Sequence, residues 1–269
     1  MTKLPFGDVL SESFGFFFGN LRLFFHLVTL PWIASVAIRV IGAAVAQDSP
    51  AAVLVEKAID AIPTVMFMVG WQRLVLLGPN RIDRLPGLGW SERESAYLIH
   101  LVKIAGITFL LIAAFIFTIG TLNPETIGMG VPLDPEAAQR QAMAAPLGAG
   151  FTISLLLALR VSFGLAATAV DVPFSPRLSW AYSRGNAWTI IGLLFLTFFV
   201  GAVATTAASL VALGLVRGVL GADSAAVLVT WVVAILVSYA GAGVAATVQA
   251  VIFRRLLAWR EGQPLPALS

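Results

Sequence analysis

The residues best placed to do chemistry are ionisable groups inside apolar runs. Arg160 lies near the centre of the run from Leu147 to Val170, about 20 Å from its start and about 15 Å from its end if that run is helical. A guanidinium keeps its charge at accessible pH. It therefore needs water, a lipid phosphate or an acidic partner. Asp60 is the only carboxylate well inside another apolar run, so it is the named partner. Two readings stand: Arg160 binds an anionic substrate or lipid head group in a wet cavity, or it bridges helices through carbonyls and hydroxyls such as Ser162.

A second set comprises Arg39, Glu56, Lys57 and Asp60. If a helical hairpin turns near Asp48, Arg39 comes level with Lys57. Glu56 and Asp60 are one turn apart, on a face that can receive Arg39. This is either a cation- or proton-linked site near the outer surface or, the preferred reading, a structural ion pair whose groups reach the interface. A third set is Arg73 and Asp171, at the same end of their runs. Their expected role is a structural pair pinning two hairpins together.

Other chemistry is missing from the sequence. There is no cysteine, which excludes thiolate catalysis, disulfides and cysteine-bound metals. The two histidines, His26 and His100, fall in different apolar runs and make a poor metal site. No Gly-x-Ser-x-Gly, P-loop or His-Glu-x-x-His motif occurs. Gly241-Ala-Gly243-Val-Ala-Ala246 fits a dinucleotide fingerprint formally, but it sits inside an apolar run without a preceding soluble strand. Ser238, Gly241, Ala242, Ala245 and Ala246 read instead as small-residue helix contacts. The expectation is a chain without enzyme activity, cofactor or metal. Its role is that of a scaffold, assembly partner or lipid-contacting module. The alternative is a small-solute or ion transporter using a polar cavity around Arg160 and Asp60.

The elements that position these groups follow from composition. Hydrophobic types make up 59% of the 269 residues and charged types 12%, against roughly 25% charged in soluble domains. Mean hydropathy is +0.92. The solvent is therefore a bilayer. A pI near 9.7 accompanies a net charge of only +3 and no basic run, which argues against nucleic acid. Arginine outnumbers lysine 14 to 3 in an Ala- and Gly-rich chain, a composition typical of GC-rich bacterial genomes.

Six runs reach spanning length: Leu21–Ala46, Ala51–Gly78, Tyr97–Gly120, Leu147–Val170, Ala187–Val216 and Ala225–Phe253, since a span takes about 20 apolar residues. The first is too long for a signal peptide, despite Ala44-Val45-Ala46. Lys3, Arg81, Arg84, Arg93, Arg177, Arg184, Arg254, Arg255 and Arg260 flank one set of ends, against Arg140 and Arg217 on the other. That asymmetry predicts both termini in the cytoplasm.

Three short leading helices are predicted. Asp8–Asn20 carries a stripe of Leu10, Phe14, Phe17, Phe18 and Leu21, and a small-residue stripe of Ser11, Gly15 and Gly19 for close helix approach. Ser91-x-x-Glu94 is a capping box. Ser175-Pro176 is a cap followed by proline at the first helical position, with Leu178, Ala181 and Tyr182 on the apolar face. Between residues 121 and 146, Asp134-Pro135-Glu136 starts a short surface helix through Met143. The expected fold is an all-α polytopic membrane bundle of about six transmembrane helices with short amphipathic interfacial helices. It forms a single membrane domain over 1–269. Three hairpin units, 6–78, 88–170 and 175–256, are a candidate repeat, with Asn20, His100 and Asn186 in similar places. Expected partners are membrane lipids and either a membrane protein or a second copy of the chain.

Several segments carry a resemblance: Phe6-Gly-Asp-Val-Leu-Ser-Glu-Ser-Phe14, Gly19-Asn20, Trp71-Gln-Arg-Leu-Val-Leu-Leu-Gly78 and Ser179-Trp-Ala-Tyr-Ser-Arg-Gly-Asn-Ala-Trp188. Together they resemble a diffuse group of bacterial multi-pass inner-membrane proteins. That group is similar to the membrane region of some glycerophosphoryl diester phosphodiesterases and to YciC-type proteins. The resemblance implies a helical fold in the bacterial cytoplasmic membrane. It implies no activity, because the hydrolase barrel of those fusions has no counterpart in this chain.

Overall fold

The computed structural model describes residues 3–45, 49–81, 89–120, 150–220 and 223–259. The described residues form helices and no strand. In order these are α1 (Phe6–Gly19), α2 (Leu21–Val45), α3 (Pro50–Leu77), α4 (Glu92–Gly120), α5 (150–162), α6 (Leu165–Ala169), α7 (Pro176–Tyr182), α8 (Ala187–Leu220) and α9 (Asp223–Leu256). Residues 46–48, which include the expected turn at Asp48, and the expected surface helix at 134–143 lie outside the described residues.

Five segments are long and apolar enough to cross a membrane: α2, α4, the α5–α6 stretch, α8 and α9. The outward surface suits lipid, with Phe25, Ile41, Leu54, Phe109, Phe199 and Val219 all exposed. Such contiguous apolar surface is untenable in water. The chain is a multi-pass helical membrane bundle. Helix α3 has the length, at 28 residues, but Glu56, Lys57, Asp60, Gln72 and Arg73 set it apart from those five.

Helix α9 is the hub. It packs on α1, α2, α3, α6 and α8, and its residues 243–253 are continuously buried. Where α8 crosses it, Gly201 and Gly241 face each other. A Cβ on Gly241 would sit 3.3 Å from the Gly201 Cα, so the backbones approach directly, as small residues allow in membranes. Of the other expected small contacts, Ala245 and Ala246 are buried and Ser238 is exposed.

The leading helices depart from expectation in instructive ways. In α1 the buried face is Val9, Ser13 and Phe17, while Phe18 and Leu21 are exposed. Phe17 turns the helix to this face by filling the space over Gly243 of α9 and joining the rings of Phe24 and Trp71. The small stripe of Ser11, Gly15 and Gly19 points away from the bundle, and a Cβ on either glycine would meet nothing. The Ser91 box forms: the Ser91 N–H donates to Glu94 at 2.8 Å, and the Ser91 hydroxyl bonds the same carboxylate. That helix does not stop before the span but runs on unbroken as α4. His100 is therefore mid-helix, whereas Asn20 and Asn186 stand at helix junctions. The Ser175 cap also forms, accepting from the Leu178 N–H at 3.3 Å. Leu178, Ala181 and Tyr182 are half-buried. Gly185, at φ +79, makes the bend into α8.

The run 147–170 is not one straight helix. It breaks at residues 163–164, where three-residue hydrogen bonds replace the α-helical ladder. Gly164 permits the break, because its backbone lies against α7 and the preceding loop. A Cβ there would fall 2.7 Å from the Phe174 ring. That ring is wedged among Phe163, Tyr182 and Phe253. Arg160 thus stands one turn before a break and level with α7, not isolated at mid-span.

Candidate functional site

One polar group forms as the spacing predicts. Arg39 Nη1 donates to both Glu56 carboxylate oxygens, at 3.0 and 2.9 Å. Its guanidinium also lies 5.0 Å from the Trp231 ring centre, and Lys57 Nζ is 3.6 Å from Glu56. Asp60 does not join them. It sits a turn deeper, and its Oδ1 is buried with no hydrogen-bond partner among the described residues. Nearby, Tyr239 shares a 2.8 Å hydrogen bond with Ser35 and reaches the Pro31 carbonyl at 3.4 Å. Pro31 has no N–H to donate to the Leu27 carbonyl one turn back, and the Tyr239 hydroxyl bonds the carbonyl of Pro31 itself.

The other end of the bundle is tied by charge. Asp171 takes a two-point grip from Arg93, with Nε at 2.8 Å and Nη2 at 2.7 Å, and a longer contact from Arg73 at 3.4 Å. Arg73 also donates to the Ala169 carbonyl. The expected Arg73–Asp171 pair therefore exists, with Arg93 as the stronger partner. Arg93 holds the Asp171 carboxyl below the ordinary carboxylate range. This carboxylate is more than half exposed, so the cluster chiefly fixes geometry rather than adding much stability. On the same end Glu12 of α1 binds Arg254 and Arg255 of α9, and the Leu4 N–H donates to Asn186 at 2.9 Å.

Between the ends lies a buried amide pair. Gln72 Nε2 donates to Gln249 Oε1 at 2.8 Å, and Gln249 Nε2 reaches Ser162 at 3.3 Å. Trp71 Nε1 donates to Thr247 at 2.8 Å. These bonds join α3, α5 and α9. Ser162 thus serves Gln249 rather than Arg160. His100 is hydrogen-bonded to Thr168 at 2.8 Å and His26 is exposed, so the histidines are apart. No cluster of three metal-ligand types occurs among the described residues.

Arg160 takes the second of its two expected arrangements, a carbonyl and a hydroxyl, though the hydroxyl is that of Ser183 and not Ser162. It forms no ion pair with Asp60. Its Nε donates to Ser183 at 2.9 Å and its Nη2 to the Trp180 carbonyl at 3.3 Å. The guanidinium carbon lies over the Trp180 indole, 3.5 Å from the ring centre. Stacking of this kind favours arginine over lysine. Beside it, α4, α5 and α7 enclose an apolar cleft of about 200 Å³. Ile104, Ile107, Leu111, Leu157, Val161 and Trp180 line it. Trp180 and Ser183 have a faint signal in the sequence, as polar and aromatic residues just after a well-marked helix cap. Gln72, Gln249 and Tyr239 have none beyond being polar in apolar runs.

These features define the class of the chain: a polytopic helical membrane bundle with its charges gathered toward its ends. Compared with protein-family models, with curated proteins and with solved structures, the chain matches none.

Proposed function

We propose that the chain is a non-catalytic, lipid-contacting scaffold of a bacterial cytoplasmic membrane, with α3 as a sixth span and both termini cytoplasmic. The observation that carries this reading is the Arg160–Trp180 stack beside an apolar cleft. It is an arrangement suited to lipid and unsuited to passing a hydrated solute. The other charges support it by engaging one another across the helices. Glu12 with Arg254 and Arg255, and Asp171 with Arg73 and Arg93, fasten elements together. Exposed Trp90, Trp180 and Trp188 stand at helix ends beside Arg93, Arg177 and Arg184, as in an interfacial aromatic belt. The resemblance to YciC-type and phosphodiesterase-attached membrane regions agrees with this placement.

The transporter reading needs a common cavity for Arg160 and Asp60, and their partners differ. In proteoliposomes under imposed proton, cation and anion gradients, the protein is expected to pass no more solute than empty vesicles. Flux that disappears in Asp60→Asn overturns the scaffold reading. For orientation, a phosphatase active only outside the cytoplasm is fused after Ser269. An inactive fusion is expected, and strong activity reverses the topology.

A further inference from the structure

The guanidinium of Arg160 is only partly engaged. It has five N–H donors; Nε goes to Ser183 and one from Nη2 to the Trp180 carbonyl, while Nη1 bonds nothing among the described residues. Arg184 is the residue next to Ser183, to which Arg160 Nε bonds. Neither arginine meets a carboxylate among the described residues. Two like charges carried on neighbouring residues repel, and an anion taken by both offsets that repulsion. Serine 183, the Trp180 carbonyl and the indole face fix Arg160, so it is oriented before any anion arrives.

The cleft next to this pair indicates what carries the anion. Its walls are mostly aliphatic, with Trp180 and the hydroxyl residues Thr108 and Ser154 completing them, and Ile107 and Leu111 are exposed. From Ile104 to Leu111 it follows about 10 Å of α4. Its volume is below the roughly 300–1,000 Å³ of typical small-molecule pockets, and an acyl chain is narrow. Trp180 joins the two parts: one face carries the guanidinium and the ring closes the cleft.

We propose that this cleft is a site for one anionic glycerophospholipid, its phosphate on Arg160 and Arg184 and one acyl chain between α4 and α5. The assignment rests on the lipid-contacting reading above and narrows it to a lipid class. A zwitterionic head group fits less well, because its ammonium would be brought toward the second arginine. A free phosphate would use the arginines but leave the cleft unused.

The test is native mass spectrometry of the full chain released from detergent, titrated with phosphatidylglycerol, phosphatidylcholine or glycerol phosphate. The wild-type protein is expected to retain one phosphatidylglycerol per chain at concentrations where phosphatidylcholine is lost. Glycerol phosphate should not compete. Arg160→Gln and Arg184→Gln should each weaken phosphatidylglycerol retention about tenfold, the usual scale for one charged hydrogen bond. Ala158→Phe, which fills the cleft from α5, should abolish retention with both arginines in place. Size-exclusion profiles identify any variant that fails to fold. Arg184, exposed and with no side-chain bond among the described residues, keeps the test available if Arg160→Gln is lost. Equal retention of both lipids, or unchanged retention in Arg184→Gln and Ala158→Phe, overturns the site while leaving the scaffold reading intact. Competition by glycerol phosphate reassigns it as a plain phosphate site and overturns the proposal. Solute flux in the vesicle assay overturns the scaffold reading without touching this measurement.

Discussion

Replacing Trp71 with alanine is expected to lower stability by about 3 kcal/mol, the low end for removing a large core aromatic. Trp71 is fully buried where four helices meet. Its ring touches Phe16 and Phe17 of α1, Phe24 of α2 and Phe67 of its own helix. Its indole N–H donates to Thr247 of α9. In a bilayer the unfolded helices already sit in hydrocarbon, so the transfer part of the usual penalty is small. The void and the lost dispersion contacts remain, which is why the low end applies. Trp71→Phe separates the parts. It keeps most of the volume and loses the hydrogen bond, at about 1 kcal/mol. Thr247 still donates to the Gly243 carbonyl, so no buried donor is left open. The measurement is unfolding in mixed detergent micelles, with protease sensitivity of α1 followed in parallel. Equal losses for alanine and phenylalanine would mean the ring cluster does not hold α1 down.

The parts of this molecule that were legible in the sequence are local. Ser91-x-x-Glu94 and Ser175-Pro176 announce helix starts because capping is decided within four residues. Arg39 and Glu56 meet because a hairpin relates them through one turn, and Arg73 can be matched with Asp171 because both stand at the same end of their apolar runs. Spanning helices are visible because the bilayer imposes length and apolarity on each separately. What was not legible depends on contacts across the chain. The break before α6 follows from Phe174 and Ser179 packing against Gly164, and a glycine among apolar residues does not say which neighbour will press on it. Without the break Arg160 falls at mid-span, where Asp60 is the one carboxylate to name as a partner beside the carbonyl-and-hydroxyl alternative. The turn of α1 that buries Val9, Ser13 and Phe17 is set by α9, more than two hundred residues away. Glu12 with Arg254 and Arg255 has the same origin. The Gln72–Gln249 pair is polar chemistry without a motif.

Breaking the Arg39–Glu56 ion pair should be the other large effect. Arg39→Leu is expected to cost about 3 kcal/mol, the low end for leaving one partner of a buried pair unpaired. Glu56 is the partner at risk, since its side chain is only 6% exposed while that of Arg39 is 38% exposed. Gly42 accommodates the carboxylate: a Cβ there would lie 2.8 Å from Glu56 Oε2. The penalty stays at the low end because Lys57 remains 3.6 Å from Glu56. Removing both charges, as Arg39→Leu with Glu56→Gln, should recover most of the loss, since the neutral amide no longer needs a cation. The two single variants and the double variant form a thermodynamic cycle, read by unfolding in mixed micelles. Strict additivity would show that the pair contributes nothing beyond its separate side chains. The cycle also separates the two roles that the sequence leaves open for these residues. A structural pair gives a large coupling and no change in the vesicle flux assay. A cation- or proton-linked site gives flux in the wild-type protein that Glu56→Gln removes while the fold survives. The two-point contact from Arg39 and the stack of that guanidinium on Trp231 favour the structural outcome, because a carboxylate held this way has little freedom to exchange partners.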